Sequence, residues 1–116
     1  MALEATMRAM RDAGVTGVAV VSRDGTVLGS DLPPGVSKET FSIMCATIHG
    51  AGMTVSNELK RPAPKTILLE SNDGSIVIAE AGRRALVVCV LPRAFPWSDA
   101  SVHLAPLLEA IGRETG

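Results

Sequence analysis

Apolar residues recur at steps of three and four along three segments of the chain, and this spacing predicts three helices. The first is short, because its stripe ends just before Gly14, a typical terminating residue. The second is long, follows the capping residue Ser37 and ends before Pro62. The third contains Pro106, which predicts either a kink or the true first turn of that helix. The predicted helical ranges are 2–13, 38–59 and 99–114.

Five shorter segments are rich in β-branched and aliphatic residues and are separated by turn signals, which predicts strands. Asp24-Gly25 and Asn72-Asp73-Gly74 are hairpin signals, and Gly82 marks a third turn. The first and last of these strands are apolar at nearly every position, which is typical of strands covered on both faces. The predicted strand ranges are 15–22, 26–30, 65–71, 75–81 and 85–91.

The order α-β-β-α-β-β-β-α predicts one α/β domain of the α+β type, spanning residues 1–116. Because hairpins join most of the strands, we expect a five-stranded antiparallel sheet. Because two strands are apolar on both sides, we expect helices to flank both faces of that sheet. Aromatic residues make up only 3% of the chain, so aliphatic side chains must build the core.

The long helix carries two uncharged faces, which is unusual for a helix with one side in water. One face is an apolar stripe made of Phe41, Met44, Ile48, Ala51, Val55 and Leu59. The second face is small and mildly polar, and it consists of Ile43, Thr47, Gly50, Thr54 and Asn57. We therefore expect this helix to be buried on two sides. Gly50 and Gly52 allow close approach of a second helix, or alternatively a local kink or packing on the chain's own sheet.

Composition disfavours several classes of function. The net charge of −1 disfavours a nucleic-acid partner, which usually requires a basic excess. No apolar run approaches the ~20 residues of a membrane helix, and the start of the chain lacks a signal-peptide pattern, so we expect no membrane insertion and a cytoplasmic location. Cys45 and Cys89 lie in apolar segments outside any paired-cysteine motif, so we expect buried, free thiols.

No pattern of residues indicates an active site, so we predict no catalytic residue, no metal and no cofactor. The serines lack the context of an activated nucleophile, and no glycine-rich phosphate loop is present. Cys45 and His49 have the i, i+4 spacing of a zinc pair, but a structural histidine at the helix surface or a dimer seam explains His49 better. His103 is expected to be solvated or packed. Arginines occur in predicted turns at Arg23, Arg83 and Arg84, where solvation explains them without a role at a partner's phosphates.

Residues 5–92 together resemble the Roadblock/LC7 family. The residues that carry the resemblance are Gly14-Val15-Thr16-Gly17-Val18-Ala19-Val20-Val21-Ser22-Arg23-Asp24-Gly25, Val27-Leu28-Gly29-Ser30-Asp31-Leu32-Pro33, the long helix with Asn57-Glu58-Leu59, and Ile67-Leu68-Leu69-Glu70-Ser71-Asn72-Asp73-Gly74-Ser75-Ile76-Val77-Ile78. No single segment is specific, but their order and spacing are.

The resemblance implies a homodimer that binds a Ras-like small GTPase as a regulator or scaffold. In such dimers the edge strand after the long helix pairs with its mate, and the two long helices pack over the joined sheet. The residues of this chain expected at that interface are Ile43, Thr47, Gly50, Thr54, Asn57, Lys65, Thr66, Ile67, Leu68, Leu69 and Glu70. The apolar edge strand also indicates self-association, because little charge protects it.

The chain departs from the family pattern in two places. The entry to the last helix reads Arg93-Ala94-Phe95-Pro96-Trp97-Ser98-Asp99, where a short glycine-containing stretch is usual, and Pro106 is unusual in that helix. Phe95 and Trp97 either anchor the last helix against the sheet or form an exposed contact for a partner. Two other functions stay open: a small-molecule sensor, which requires a cavity, and a purely structural adaptor.

Overall fold

The computed structural model describes residues 2–116, and its elements follow the predicted order. Every boundary lies within two residues of its prediction. The helices are α1 (Ala2–Ala13), α2 (Lys38–Glu58) and α3 (Trp97–Thr115). The strands are β1 (Gly17–Ser22), β2 (Val27–Asp31), β3 (Thr66–Ser71), β4 (Gly74–Ala81) and β5 (Ala85–Pro92).

All five strands form one antiparallel sheet in the order β2-β1-β5-β4-β3. The predicted hairpins join β1 to β2, β3 to β4 and β4 to β5. Gly25 and Gly82 sit in two of the connecting turns with φ angles of +94° and +68°, which favour glycine. The sequence prediction of a five-stranded antiparallel sheet is confirmed, and β2 and β3 are its two edges.

Helices cover both faces of the sheet, as predicted. α1 and α3 pack on one face around a core that includes Met10, Val18 and Leu104, all fully buried. α2 packs on the other face, over Leu86 and Val21. Because successive side chains of a strand point to opposite faces, a strand between two helical layers must be apolar at every position. This explains the unbroken apolar runs of β1 and β5.

Pro106 lies inside α3, so the alternative that it marks the first turn is wrong. The helix already begins at Trp97, two residues before its predicted start at residue 99. A proline removes the hydrogen bond to the carbonyl four residues earlier, here Val102. Val102 is 73% exposed and Pro106 is also exposed, so water can hydrate that carbonyl. The proline is tolerated because it lies on the solvent side.

The C-terminus of α2 ends in a non-glycine residue with a left-handed conformation. The amide of Lys60 donates to Asn57 and the amide of Arg61 donates to Ser56, each over 2.9 Å, which is the Schellman arrangement. Lys60 therefore adopts a φ angle of +56°, where a side chain is strained.

Lys60→Gly is expected to raise the free energy of unfolding by about 0.5–1 kcal/mol, because glycine adopts the left-handed conformation without strain. Chemical denaturation of the variant and the parent measures this difference. Lys60→Ala is the control, since it removes the same side chain but keeps a Cβ and therefore the strain. An equal gain in both variants would contradict the explanation.

Candidate interaction surface

β3 is an open edge of the sheet, and among residues 2–116 it pairs with β4 alone. The amide of Glu80 donates to the carbonyl of Lys65 over 2.9 Å, so that pair is hydrogen-bonded. Because hydrogen-bonded pairs alternate along an antiparallel ladder, Thr66, Leu68 and Glu70 direct their backbone groups away from β4. The free edge therefore presents N–H and C=O groups that a further strand can join.

The side chains of β3 leave this edge poorly protected. Leu68 and Leu69 are 39% and 38% exposed, although both are aliphatic. Soluble proteins usually blunt an edge strand with charge, proline or a bulge. Here Lys65 and Glu70 are the charged residues of the segment, and the register with β4 is unbroken.

The side of α2 that packs on the sheet differs from the predicted apolar stripe. Its buried residues are Ser42, Cys45 and His49, with Phe41 and Ile48 half-buried beside them. Four members of the predicted stripe are instead exposed: Met44, Ala51, Val55 and Leu59. No charged residue lies between Glu39 and Glu58. The outer surface of α2 is therefore uncharged and largely apolar.

The residues predicted at the dimer interface lie on these two elements. All are exposed except Ile67, which is half-buried. Ile67 packs beneath α2, since its Cδ1 atom lies 2.8 Å from the position that a Cβ on Gly52 would occupy. Gly52 thus allows close packing on the chain's own sheet, whereas no atom lies within 4 Å of the corresponding position at Gly50. Of the two glycines, only Gly50 is open to a neighbour.

An open apolar groove of about 310 Å³ lies beside the β3 edge. Leu69, Ile76 and Val90 form its floor. These residues are directly opposite one another on β3, β4 and β5, and Ile76 packs on the face of the sheet that α2 covers. The remaining residues around it are Glu70, Ser71, Asp73, Gly74, Ser75 and Leu91. Sequence reasoning missed this groove, because its floor comes from three strands that only the fold brings together.

A chain of polar contacts links α2 to two turns at one end of the sheet. His49 is 3% exposed, and its Nε2 atom lies 3.6 Å from Oε2 of Glu80. The same carboxylate oxygen accepts the guanidinium of Arg23 at 3.0 Å, and Nε of Arg23 donates to the carbonyl of Arg83 over 2.7 Å. The prediction that His49 lies at the helix surface or a seam is therefore wrong. Glu80, thirty-one positions away in sequence, places a carboxylate beside the ring, but 3.6 Å is longer than a hydrogen bond and the buried Nε2 atom has no hydrogen-bond partner.

The turn between β1 and β2 contains a stabilised carboxylate. Asp24 accepts hydrogen bonds from the hydroxyl of Ser22 and from the backbone amide of Thr26, the latter over 3.1 Å. These donors, the Ser22 hydroxyl above all, lower the pKa of the Asp24 carboxyl below its ordinary value. The contacts explain a tight turn and place no reactive group there.

Both thiols are free and buried, as predicted. Burial disfavours the thiolate and raises the pKa of Cys45 to about 11 and that of Cys89 to about 12, from an ordinary value of 9.0. Among residues 2–116, no group of three His, Cys, Asp or Glu side chains is placed to hold a metal ion.

A thiol reagent at pH 8 is therefore expected to leave the folded protein unmodified over an hour and to label two cysteines after denaturation. The folded thiols also keep protons that the unfolded chain loses above about pH 9, so stability falls as the pH rises from 9 towards 11. Mass spectrometry counts the labels, and denaturation at pH 8 and 10 measures the loss. Rapid labelling of the native protein would contradict the burial.

Phe95 and Trp97 are half-buried and pack against the core beneath α1 and α3. The Phe95 ring contacts Gly14, where an added Cβ would lie 3.1 Å from Cδ2, and it lies 6.1 Å from the ring of His103. These contacts support the anchoring role of the two aromatic residues. Their use as a partner contact stays a prediction.

The chain belongs to the Roadblock/LC7 family. The sequence model of the Roadblock/LC7 domain matches residues 1–91. An uncharacterized protein of Methanocaldococcus jannaschii is 33% identical over 94 residues, which cover 81% of this chain and 73% of that protein.

Solved structures show the same fold. MglB from Myxococcus xanthus superposes with a TM-score of 0.88 at 13% identity, covering 97% of this chain and 93% of that one. A structure described as MglB with a tetrameric arrangement gives a TM-score of 0.84 at 22% identity, covering 97% and 85%. In the part of the chain that the structure describes, none of the helices has the length and hydropathy of a membrane span.

Proposed function

We propose that this protein is a homodimeric adaptor that binds a Ras-like small GTPase and modulates its activity or localisation. The observation that carries the proposal is the open β3 edge beside an uncharged outer face of α2. Two apolar surfaces and a row of unpaired backbone groups thus lie next to each other on one side of the domain. A second copy satisfies all three at once, because an isologous contact pairs each strand and each helix with its equivalent.

The interface of the proposed dimer contains the eleven residues predicted for it. Lys65 and the β3 residues 66–70 contribute the strand edge, and Ile43, Thr47, Gly50, Thr54 and Asn57 contribute the helix surface. Gly50 supports this arrangement, since the open space around it allows another backbone to approach.

The GTPase part of the proposal rests on family membership, since Roadblock/LC7 domains regulate small GTPases or serve as their scaffolds. Regulation then works by repositioning loops of the GTPase, without a reactive group from this chain. Arg23 supports this view, because its guanidinium is already held by Glu80 and by the carbonyl of Arg83. Phe95 and Trp97 are the residues that we expect to contact the partner. The proposal places the protein in the cytoplasm with its GTPase.

The test has two parts. Size-exclusion chromatography with light scattering is expected to give twice the chain mass of 12.1 kDa. Purified Ras-like GTPases from the same genome, each loaded with GDP or a GTP analogue, are then titrated against the protein. Preferential binding to one nucleotide state is expected. A monomer, or a dimer that binds no GTPase in either state, would refute the proposal, and equal binding to both states would indicate a structural adaptor instead.

A small-molecule sensor is the second candidate, and the apolar groove is the observation that favours it. Its floor is apolar and several polar side chains surround it, as in many ligand sites. The groove is open, however, and none of the residues that line it is a buried polar group that could orient a ligand.

A further inference from the structure

Six sulfur-containing residues lie between residues 2 and 116, and four of them are buried. Met7 and Met10 are 5% and 0% exposed in the core that α1 and α3 form with the sheet, and both cysteines are buried as well. The other two are Met44 and Met53, which are 51% and 41% exposed. Both lie on α2, so in this part of the chain the sulfur chemistry that solvent can reach is confined to one helix.

Burial removes the two cysteines as targets for an oxidant. Peroxides react with the thiolate, and both thiols stay protonated because burial raises the pKa of Cys45 to about 11 and that of Cys89 to about 12. A thioether has no proton to lose, so exposure decides whether it reacts. Met44 and Met53 are therefore the sites at which a mild oxidant acts first.

Both exposed methionines border the helix residues predicted at the dimer interface. Residues three and four positions apart are neighbours on a helix surface. Met44 is therefore beside Thr47, and Met53 is beside Gly50 and Asn57. Neither methionine belongs to the predicted interface itself, so an oxidant in solution reaches both sulfur atoms at its border.

The surroundings of Met53 are suited to hold a sulfoxide. Met53 lines an open cavity of about 330 Å³ together with Thr54, Asn57, Arg61 and Ala63. The Thr54 hydroxyl already donates to the carbonyl of Gly50 over 3.2 Å, which leaves the Asn57 amide and the Arg61 guanidinium as donors. A sulfoxide oxygen accepts hydrogen bonds, so an oxidised Met53 competes for Asn57, a residue of the predicted interface.

Oxidation also changes the polarity of the contact surface. No charged residue lies between Glu39 and Glu58, and a thioether fits such an uncharged surface. A sulfoxide is polar and hydrated, and bringing a second copy against it removes that water at a cost in free energy. In a twofold dimer each modified residue occurs twice, so the cost is doubled.

We propose that α2 carries a reversible oxidation switch, in which hydrogen peroxide converts Met44 and Met53 to sulfoxides and the modified helix loses affinity for a second copy of the chain. A sulfur lone pair attacks one oxygen of the peroxide, and the O–O bond breaks. That oxygen becomes the sulfoxide oxygen, and the other leaves as hydroxide and takes the remaining proton to form water. The sulfur is oxidised by two electrons and the peroxide is reduced. This inference rests on the proposed dimer and adds a modification site that regulates it.

Mild peroxide treatment at pH 7, followed by removal of the excess peroxide, tests the proposal. Peptide mass spectrometry is expected to find one added oxygen on Met44 and on Met53, and none on Met7 or Met10. Light scattering over a dilution series is expected to give a dimer dissociation constant at least about tenfold higher than before treatment. Incubation with the two methionine sulfoxide reductases, one for each epimer, and a dithiol reductant is expected to restore the original value.

The double variant Met44→Leu/Met53→Leu is the matched control. Leucine has a similar volume and carries no sulfur, so we expect this variant to dimerise like the parent before and after peroxide treatment. It keeps every other methionine and both cysteines. An equal loss of affinity in this variant would therefore place the effect at another residue and overturn the inference.

The remaining outcomes separate the oxidation switch from the dimer on which it rests. A parent dimer whose dissociation constant is unchanged after complete oxidation of Met44 and Met53 would overturn the switch while the proposed dimer stands. Oxidation of Met7 or Met10 before the two exposed methionines would also overturn it. A parent that is already monomeric before treatment would refute the proposed function and the switch together.

Discussion

Replacing Leu68 with lysine is expected to convert the proposed dimer into monomers and to raise its dissociation constant roughly hundredfold. Leu68 is the middle one of the outward-directed residues of β3, so pairing of two β3 strands brings the two ammonium groups close together, with Cα atoms about 5.5 Å apart where the residues are directly opposite. Like charges directly opposite on paired strands repel, and the apolar contact between the leucines is lost as well. The fold itself should persist, because Leu68 is 39% exposed in the isolated chain.

Light scattering over a dilution series measures this effect, and circular dichroism shows whether the fold is kept. Leu28→Lys is the matched control, since Leu28 is an exposed leucine on the other edge strand, β2. We expect that variant to remain dimeric. A Leu68→Lys protein with the mass and concentration dependence of the parent would show that β3 does not form the dimer.

Replacing Gly74 with alanine is expected to lower the free energy of unfolding by about 3 kcal/mol or more, and the melting temperature by about 10 °C. Gly74 begins β4 with a φ angle of +146°, which residues with a Cβ rarely adopt. An added Cβ would also lie 2.2 Å from the carbonyl oxygen of Leu91. The clash involves backbone on both sides, so relief requires the β4–β5 pairing to shift.

Gly35→Ala provides the comparison for this prediction. Gly35 also has a positive φ angle, +88°, but no atom lies within 4 Å of an added Cβ. Its substitution therefore costs only the conformational strain, about 1 kcal/mol. Thermal denaturation followed by circular dichroism measures both variants. Equal losses at the two positions would show that the approach of the Leu91 carbonyl contributes nothing to the requirement for glycine at residue 74.

The two faces of the sheet differ in how completely the helices of the chain cover them. The face under α1 and α3 is closed by the chain's own helices, with Met10, Leu104 and Ile111 fully buried. The face under α2 is closed only in part, because an open groove lined by Leu69, Ile76 and Val90 lies on it. In the proposed dimer the second face is completed by the other copy, so the stability of the protein should depend on concentration.

Local patterns along the chain were sufficient to predict the elements and their pairing. Hairpin signals such as Asp24-Gly25, the cap at Ser37 and the apolar strands β1 and β5 each act within a few residues of sequence. Two strands joined by a short hairpin can pair only in the antiparallel direction. Strands that are apolar on both sides require a helical layer on each face of the sheet. For this reason the predicted order, boundaries and layers agree with the structure.

The orientation of α2 could not be predicted in the same way. Periodicity ranks the faces of a helix by hydrophobicity, but this helix has more than one uncharged face. The predicted apolar stripe contains Met44, Val55 and Leu59, which are exposed in the structure. The sheet instead packs against a line that contains Ser42 and His49. His49 and Glu80 become neighbours only through the tertiary fold.

The same reason applies to the groove. Leu69, Ile76 and Val90 are far apart along the chain and become neighbours through the pairing of three strands. Local sequence preferences thus determined which elements form and how they pair, whereas long-range packing decided which helix face is buried and which sheet surface stays open.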